Sequence, residues 1–291
     1  MRSLLFVPAD SERKLARAAD APADALILDL EDSVVPERKQ IARGLASEYL
    51  RARQAAEVWV RVNDRGSGQL LYDLAAVMPA RPTGIVLPKI TAAADIEAVA
   101  HYLDALEATH GIQAGSVGLL VLVTETPAAL LRIPQLLRLD CPRLRALAWG
   151  AEDLSAALDA GDPRRADGSW HATYAYARIQ CLLAAHALSV AAIDTVYVDF
   201  KDRDGLLRDS TASRHDGFSG RLAIHPDQVA IINAAYTPGE SECRLARRII
   251  DAFAATAGAG TVSIDGKMYD RPHLEAAQRL LRSSHPKESP A

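Results

Sequence analysis

The chain has 291 residues, 49% of them apolar, enough to bury the core of one large domain or of a domain with an appendage. Its 33 basic and 37 acidic residues give a net charge of −4, and the basic ones are scattered instead of forming the stripe that nucleic acid requires. No apolar run approaches the roughly 20 residues of a membrane helix, the N-terminal run is too short for a signal-peptide core, and Cys141, Cys181 and Cys243 lack the spacing of a disulfide framework or zinc site, so a cytoplasmic protein with reduced thiols and neither nucleic-acid nor membrane partner is expected.

Along the chain, short apolar runs alternate with stretches of helical spacing. Strands are expected at residues 3–7, 25–30, 58–62, 84–87, 117–123, 144–149, 191–198 and 221–224. The stretch 92–109 typifies the intervening helices: Ile96, Val99, Leu103 and Leu106 recur every three or four residues behind a capping Thr91. Eight strand–helix units in about 235 residues have the size and rhythm of a closed parallel (β/α)8 TIM barrel, with an open doubly wound sheet as the competitor. The unit count favours closure, as does the lack of a Gly-rich phosphate fingerprint after the first strand. After Tyr236 the rhythm breaks. Residues 1–235 are therefore read as the catalytic barrel and 236–291 as a C-terminal helical extension or lid, with a helix over 242–256, a Gly-rich link, a short run at 262–264, a last helix near 273–281 and a frayed tail from Ser283.

Barrel enzymes gather their chemistry at the C-terminal ends of the strands, and charged residues recur at those ends here. Asp29, Glu31 and Asp32 end the second strand, Arg61 and Asn63 the third, Lys89 the fourth, Glu125 the fifth, Glu152 and Asp153 the sixth, and Asp199 with Asp202 follow the seventh. Burying such groups unpaired costs several kcal/mol each, so they must bind one another, a metal or a charged ligand. A carboxylate-rich ring suits a hard cation: magnesium takes oxygen ligands and keeps waters, so two carboxylates, Glu125 and Asp153, with a chelating substrate would complete its shell. Each of these acids precedes a helix, and a macrodipole-favoured acid at a helix N-terminus is an equally good reading of either one alone. Arg61 offers a planar fork for a substrate carboxylate, or a structural ion pair with a rim acid. A lysine such as Lys89 can form an imine if its pKa is lowered, but the surrounding acids favour the protonated amine, hence an ion-pairing or phosphate-contacting role. His225 sits at a strand end beside Pro226, where a structural role is the more common one.

Taken together and in order, LLFVPAD, ALILDLEDSV, VWVRVN, IVLPKI, TETP, WGAEDL, AIDTVYVDFKD, GFSGRLAIHPDQV and GKMYDRPHLEAAQRLL resemble the citrate lyase beta subunit-like proteins of the HpcH/HpaI aldolase family, the group of malyl-CoA and citramalyl-CoA lyases. The resemblance covers nearly the whole chain. It implies a barrel with a helical extension, assembled as a homotrimer or hexamer, that uses Mg2+ to cleave or form a 3-hydroxyacyl-CoA, yielding an acyl-CoA and a 2-oxo acid by a retro-Claisen-type reaction. By position it implies Glu125 and Asp153 as metal ligands and Arg61 as the holder of the keto-acid oxygens. Asp29 and Glu31 become supporting acids, Arg13 and Lys14 meet the CoA phosphates, Ile224 to Pro226 line the pantetheine path, and Asp270 is the proton-transfer acid lent by a neighbouring subunit.

The sequence departs from that pattern at Ala9 and at Ala128 to Leu130, where glycine is common, which leaves the seat of the thioester arm and the identity of the substrate open. Four other outcomes stay in view: a malyl-CoA thioesterase, a CoA-independent aldolase, a lyase subunit that acts only on a carrier-bound substrate, and a barrel that binds a keto acid for regulation.

Overall fold

The computed structural model describes residues 1–53, 57–256 and 258–284. Eight strands, β1 (Ser3–Pro8), β2 (Ala25–Asp29), β3 (Glu57–Arg61), β4 (Gly84–Leu87), β5 (Gly118–Leu122), β6 (Leu144–Ala148), β7 (Ala191–Asp194) and β8 (Gly220–Ala223), run parallel, each paired with the next. Ser3, Leu4 and Leu5 of β1 pair with Arg221, Leu222 and Ala223 of β8, which closes the barrel and excludes the open sheet. The strands read as continuous apolar runs because both faces are buried, against the barrel interior and against the helices.

The helices around the barrel are α1 (Glu12–Ala19), α2 (Lys39–Ala52), α3 (Leu70–Val77), α4 (Ala93–Thr109), α5 (Pro127–Leu136), α6 (Ala151–Ala157), α7 (Ala172–Ala187), α8 (Arg203–Asp216) and α9 (Pro226–Tyr236). Among the described residues no helix is long and apolar enough to cross a membrane. The interior is filled by alternate strand positions, among them Leu4, Ile27, Trp59, Val86, Leu120, Ala148, Ile193 and Leu222. Trp59 fits because its neighbours are glycines: a Cβ on Gly84 would lie 2.2 Å from its ring, and one on Gly118 3.1 Å. Cys181 and Cys243 are buried, Cys141 is half-buried, and all three are free thiols.

Several boundaries differ from the sequence reading. Strand β7 ends at Asp194 instead of residue 198, because its carboxylate is drawn into a buried ion cluster and the ladder to β8 stops at the Asp194–Arg221 pair. Asp199 and Asp202 are therefore not at a strand end; Asp202 caps α8, accepting from Gly205 N at 2.9 Å. The helix expected over 92–109 begins one residue later, and Asp95 reaches back to bond the Thr91 hydroxyl and N–H, reversing the capping role expected of Thr91.

The chain divides into two compact units, Met1–Asn233 and Ala234–Ala291. The second contains α10 (Glu240–Ala255), a hairpin of β9 (Thr261–Ile264) and β10 (Lys267–Asp270), and α11 (Arg271–Ser284), packed around Ala246, Ile249, Ile264 and Ala277. Ala257 of the Gly-rich link and the tail from residue 285 lie outside the described residues.

Candidate active site

At the C-terminal end of the barrel Asp29, Arg61, Glu125 and Asp153 line one cavity of about 280 Å³, with Phe6, Leu122, Trp149, Thr195 and Leu222 forming much of its apolar wall. Local sequence accounts for each placement. Glu125 immediately precedes α5, which Thr126 caps by accepting from Ala129 N at 3.1 Å and which Pro127 starts with its preset φ. Asp153 lies in the first turn of α6, behind Gly150, where a Cβ would meet Glu125 Cγ at 2.7 Å.

Arg61 makes the structural ion pair with a rim acid that the sequence allowed, and it also lines the cavity. Its Nε and Nη2 donate to Asp29 at 2.7 Å each, a buried bidentate pair, while the guanidinium lies 4.6 Å from the Phe6 ring and lines the cavity. Burial alone would raise the Asp29 carboxyl, but the charge and hydrogen bonds of Arg61, with donors from Ser33 and Glu31 N, hold it below the usual carboxylate range. Arg61 Nη1 is 3.1 Å from Glu31 Oε2, an ion pair by distance that lacks hydrogen-bond geometry, so that buried oxygen has no donor among the described residues.

Lys89 ties the acids together. Its φ of +49° is left-handed, unusual for a side-chain-bearing residue, and its N–H donates to Glu125 Oε2 at 2.6 Å. Its Nζ lies 2.6 Å from Glu31, 2.7 Å from Asp32 and 3.2 Å from Asp153, and these acids outweigh burial and raise its pKa, which favours the ammonium over the free amine that an imine requires. Lys89 is thus gathered with Glu31, Asp32 and Asp153 and is not among the residues that line the cavity.

Burial pushes the Glu31 carboxyl up to about 7 despite Arg61 and Lys89. Burial, with Asp153 and Glu31 nearby, raises Glu125 well above the usual range. A fully buried carboxylate beside two other acids is the environment that a divalent cation would relieve, and Glu125 with Asp153 are the side chains able to hold one. Among the described residues no group of three or more His, Cys, Asp or Glu side chains surrounds a common metal position.

A second cavity of about 430 Å³ shares Phe6, Pro8 and Ile224 with the first. It is lined by Arg13, Lys14, His225 and Pro226, so the residues expected along a phosphate and pantetheine path converge there. Arg17 joins them; the sequence reading missed it, although its place one helical turn beyond Arg13 was the available signal. Also missed was Lys39, whose Nζ bonds Leu30 O, Glu31 O and Asn63 Oδ1 at 2.7, 2.8 and 2.6 Å and so braces the LDLED turn from behind. Asp270, in the second unit, ends β10 and pairs with His273.

Comparison with known proteins bears on this geometry. The model of the HpcH/HpaI aldolase/citrate lyase family matches residues 2–226. The chain belongs to that family. It is 35% identical to a (3S)-malyl-CoA thioesterase of Cereibacter sphaeroides over 96% of this chain and 93% of the relative. It is 34% identical to the citrate lyase subunit beta of Escherichia coli, over 96% and 92% of the two chains. The crystal structure of CitE from Mycobacterium tuberculosis, a complex with magnesium, acetoacetate and coenzyme A, superposes with a TM-score of 0.80 at 32% identity over 97% of both chains.

Proposed function

We propose that this chain is a magnesium-dependent carbon–carbon lyase that cleaves or forms a 3-hydroxyacyl-CoA such as malyl-CoA or citramalyl-CoA, with an acyl-CoA and a 2-oxo acid as the other partners. The observation that carries this reading is that Arg61, Glu125 and Asp153 line one cavity that adjoins a second, basic one. The binding of magnesium and coenzyme A by the Mycobacterium tuberculosis relative supports it. Glu125 and Asp153 would hold the ion, which when bound supplies Lewis-acid polarisation of the oxygen on the carbon being cleaved. Arg61, fixed by Asp29, orients the carboxylate of the oxo-acid end. Glu31 and Asp32 hold the Lys89 side chain within the acid cluster, and Arg13, Lys14 and Arg17 offer cations to the CoA phosphates. Asp270, lent by a neighbouring subunit of a homotrimer or hexamer, serves in proton transfer, and the enzyme works in the cytoplasm.

Turnover of malyl-, citramalyl- and citryl-CoA, with magnesium present and then chelated, tests the reading. Glu125→Ala or Asp153→Ala should lower magnesium-dependent turnover by about 10²- to 10³-fold while circular dichroism stays native; near-normal rates in either variant would contradict the metal assignment. Hydrolysis is a second reading, favoured by the 35% identical malyl-CoA thioesterase. Release of free CoA together with an intact hydroxy acid identifies it, whereas a 2-oxo acid with an acyl-CoA identifies the lyase.

A further inference from the structure

Trp149 is fully buried, yet it lines the reaction cavity directly after β6 and four residues before Asp153. Its indole is held on two sides. The Nε1 proton goes to Asp194 Oδ1 at 2.6 Å, and the ring packs edge-on against Trp170 with centroids 4.9 Å apart at 71°. The two holders are joined behind the cavity. Arg221 Nη2 bonds Asp194 at 3.1 Å and Asp209 at 2.6 Å, Arg164 bonds both oxygens of Asp209 at 3.1 and 3.0 Å, and the Arg164 guanidinium lies 3.6 Å from the Trp170 ring centroid. The contacts therefore close on themselves: Trp149, Asp194, Arg221, Asp209, Arg164, Trp170 and back to Trp149. A ring of this kind leaves the indole no alternative rotamer without breaking a buried hydrogen bond or an aromatic contact. The segment 158–171 that carries Arg164 and Trp170 is pinned in turn by the Arg164–Trp170 bridge and by the Ser155 hydroxyl, which donates to Gly161 O at 2.5 Å.

We propose that Trp149 limits the length of the 2-oxo acid that the reaction cavity accepts, and that Asp194 and the Arg164–Trp170 segment are its positioning elements. The inference rests on the functional reading above. With Leu122 and Leu222 also on the wall, the group beyond the acid's carbonyl meets an apolar surface backed by a rigid ring system, so a short chain fits and each added methylene displaces packed atoms.

Calorimetric dissociation constants for pyruvate and 2-oxopentanoate with magnesium, measured on the full chain and on Trp149→Phe, Arg164→Gln and Arg164→Lys alongside unfolding temperatures, test this. The unaltered protein should favour pyruvate, and Trp149→Phe should narrow that preference by about tenfold or more, the discrimination expected of one or two methylenes in an apolar pocket. Arg164 does not line the reaction cavity, so Arg164→Gln should narrow the preference by about threefold through loss of positioning, with Arg164→Lys, which keeps the charge but loses the fork and the stacked plane, narrowing it less. A preference unchanged in every variant that folds overturns the proposal; narrowing in Trp149→Phe without any in Arg164→Gln overturns the positioning part. Should Trp149→Phe fail to fold, the Arg164 pair alone decides. Failure of the unaltered protein to bind either acid, with or without magnesium, defeats the functional reading itself, and this inference with it.

Discussion

Asp29 and Arg61 are buried as a forked pair, so neither can be changed without stranding the other. Arg61→Lys keeps the charge but replaces two parallel N–H donors with a point ammonium. It should destabilise the fold by about 1–3 kcal/mol in urea denaturation and, on the proposed role of Arg61 in orienting the substrate carboxylate, raise the KM for the thioester. Unchanged stability and KM would mean that the fork is dispensable. Asp194 makes the corresponding case away from the cavity. Burial favours its neutral form, but Arg221, Arg178 and the Ser213 hydroxyl outweigh that and hold the carboxyl far below its ordinary value. A depressed carboxyl contributes stability above the unfolded value of about 4, and loses it as pH falls from there toward the folded value. Asp194→Asn should therefore cost about 3–5 kcal/mol at pH 7, with the gap to the unaltered protein narrowing below about pH 4. A gap independent of pH would show that charge is not what Asp194 supplies.

Strand β3 lays the indole of Trp59 across two neighbouring strands, and the glycines that admit it are an element-level requirement. In Gly84→Ala the new Cβ would press on the Trp59 ring and also lie 2.7 Å from Gly118 O, a backbone atom that cannot swing aside. The barrel should lose at least about 1–3 kcal/mol and melt several degrees lower in calorimetry. Gly44→Ala, with open space around it inside α2, should instead be neutral or stabilising by up to about 1 kcal/mol; equal losses from the two changes would rule out the packing argument. Elements of this kind were legible in the sequence wherever both faces are buried, since β1 to β6 and β8 appear as apolar runs and their charged ends as breaks. Strand β7 was overread because the β-branched and aromatic residues 195–198 continue the run, and nothing in that pattern reveals an acid at position 194 recruited by arginines 16 and 27 residues away. Strand β10 was not recognised because KMYD has no apolar alternation to mark it. At the site, residue types and strand ends marked Arg61, Glu125 and Asp153 as candidates, and all three line one cavity. The left-handed backbone of Lys89 and the hold of Asp194 on Trp149 are tertiary facts with no local signature.

At the scale of the whole chain, the described residues of each unit include a hydrophobic cluster of their own. One fills the barrel interior; the other lies wholly within the second unit, around Ile249, Ile264 and Ala277. Each unit thus has a core of its own, and a chain ending at Tyr236, which keeps α9 whole, should unfold as a single cooperative transition in guanidinium with a native-like barrel spectrum. It retains Arg61, Glu125 and Asp153 and should bind pyruvate in the presence of magnesium within a few-fold of the full chain. Turnover tests the proposed role of Asp270, which truncation removes and whose pairing with His273 holds the carboxyl below its ordinary range. Asp270→Asn in the full-length chain should reproduce the loss of turnover, by about 10²-fold or more if the group moves a proton in the reaction, while leaving pyruvate affinity in place. If the variant turns over normally and only the truncation is inactive, the second unit is needed for turnover but not through that carboxylate; if both retain activity, the barrel alone is the enzyme.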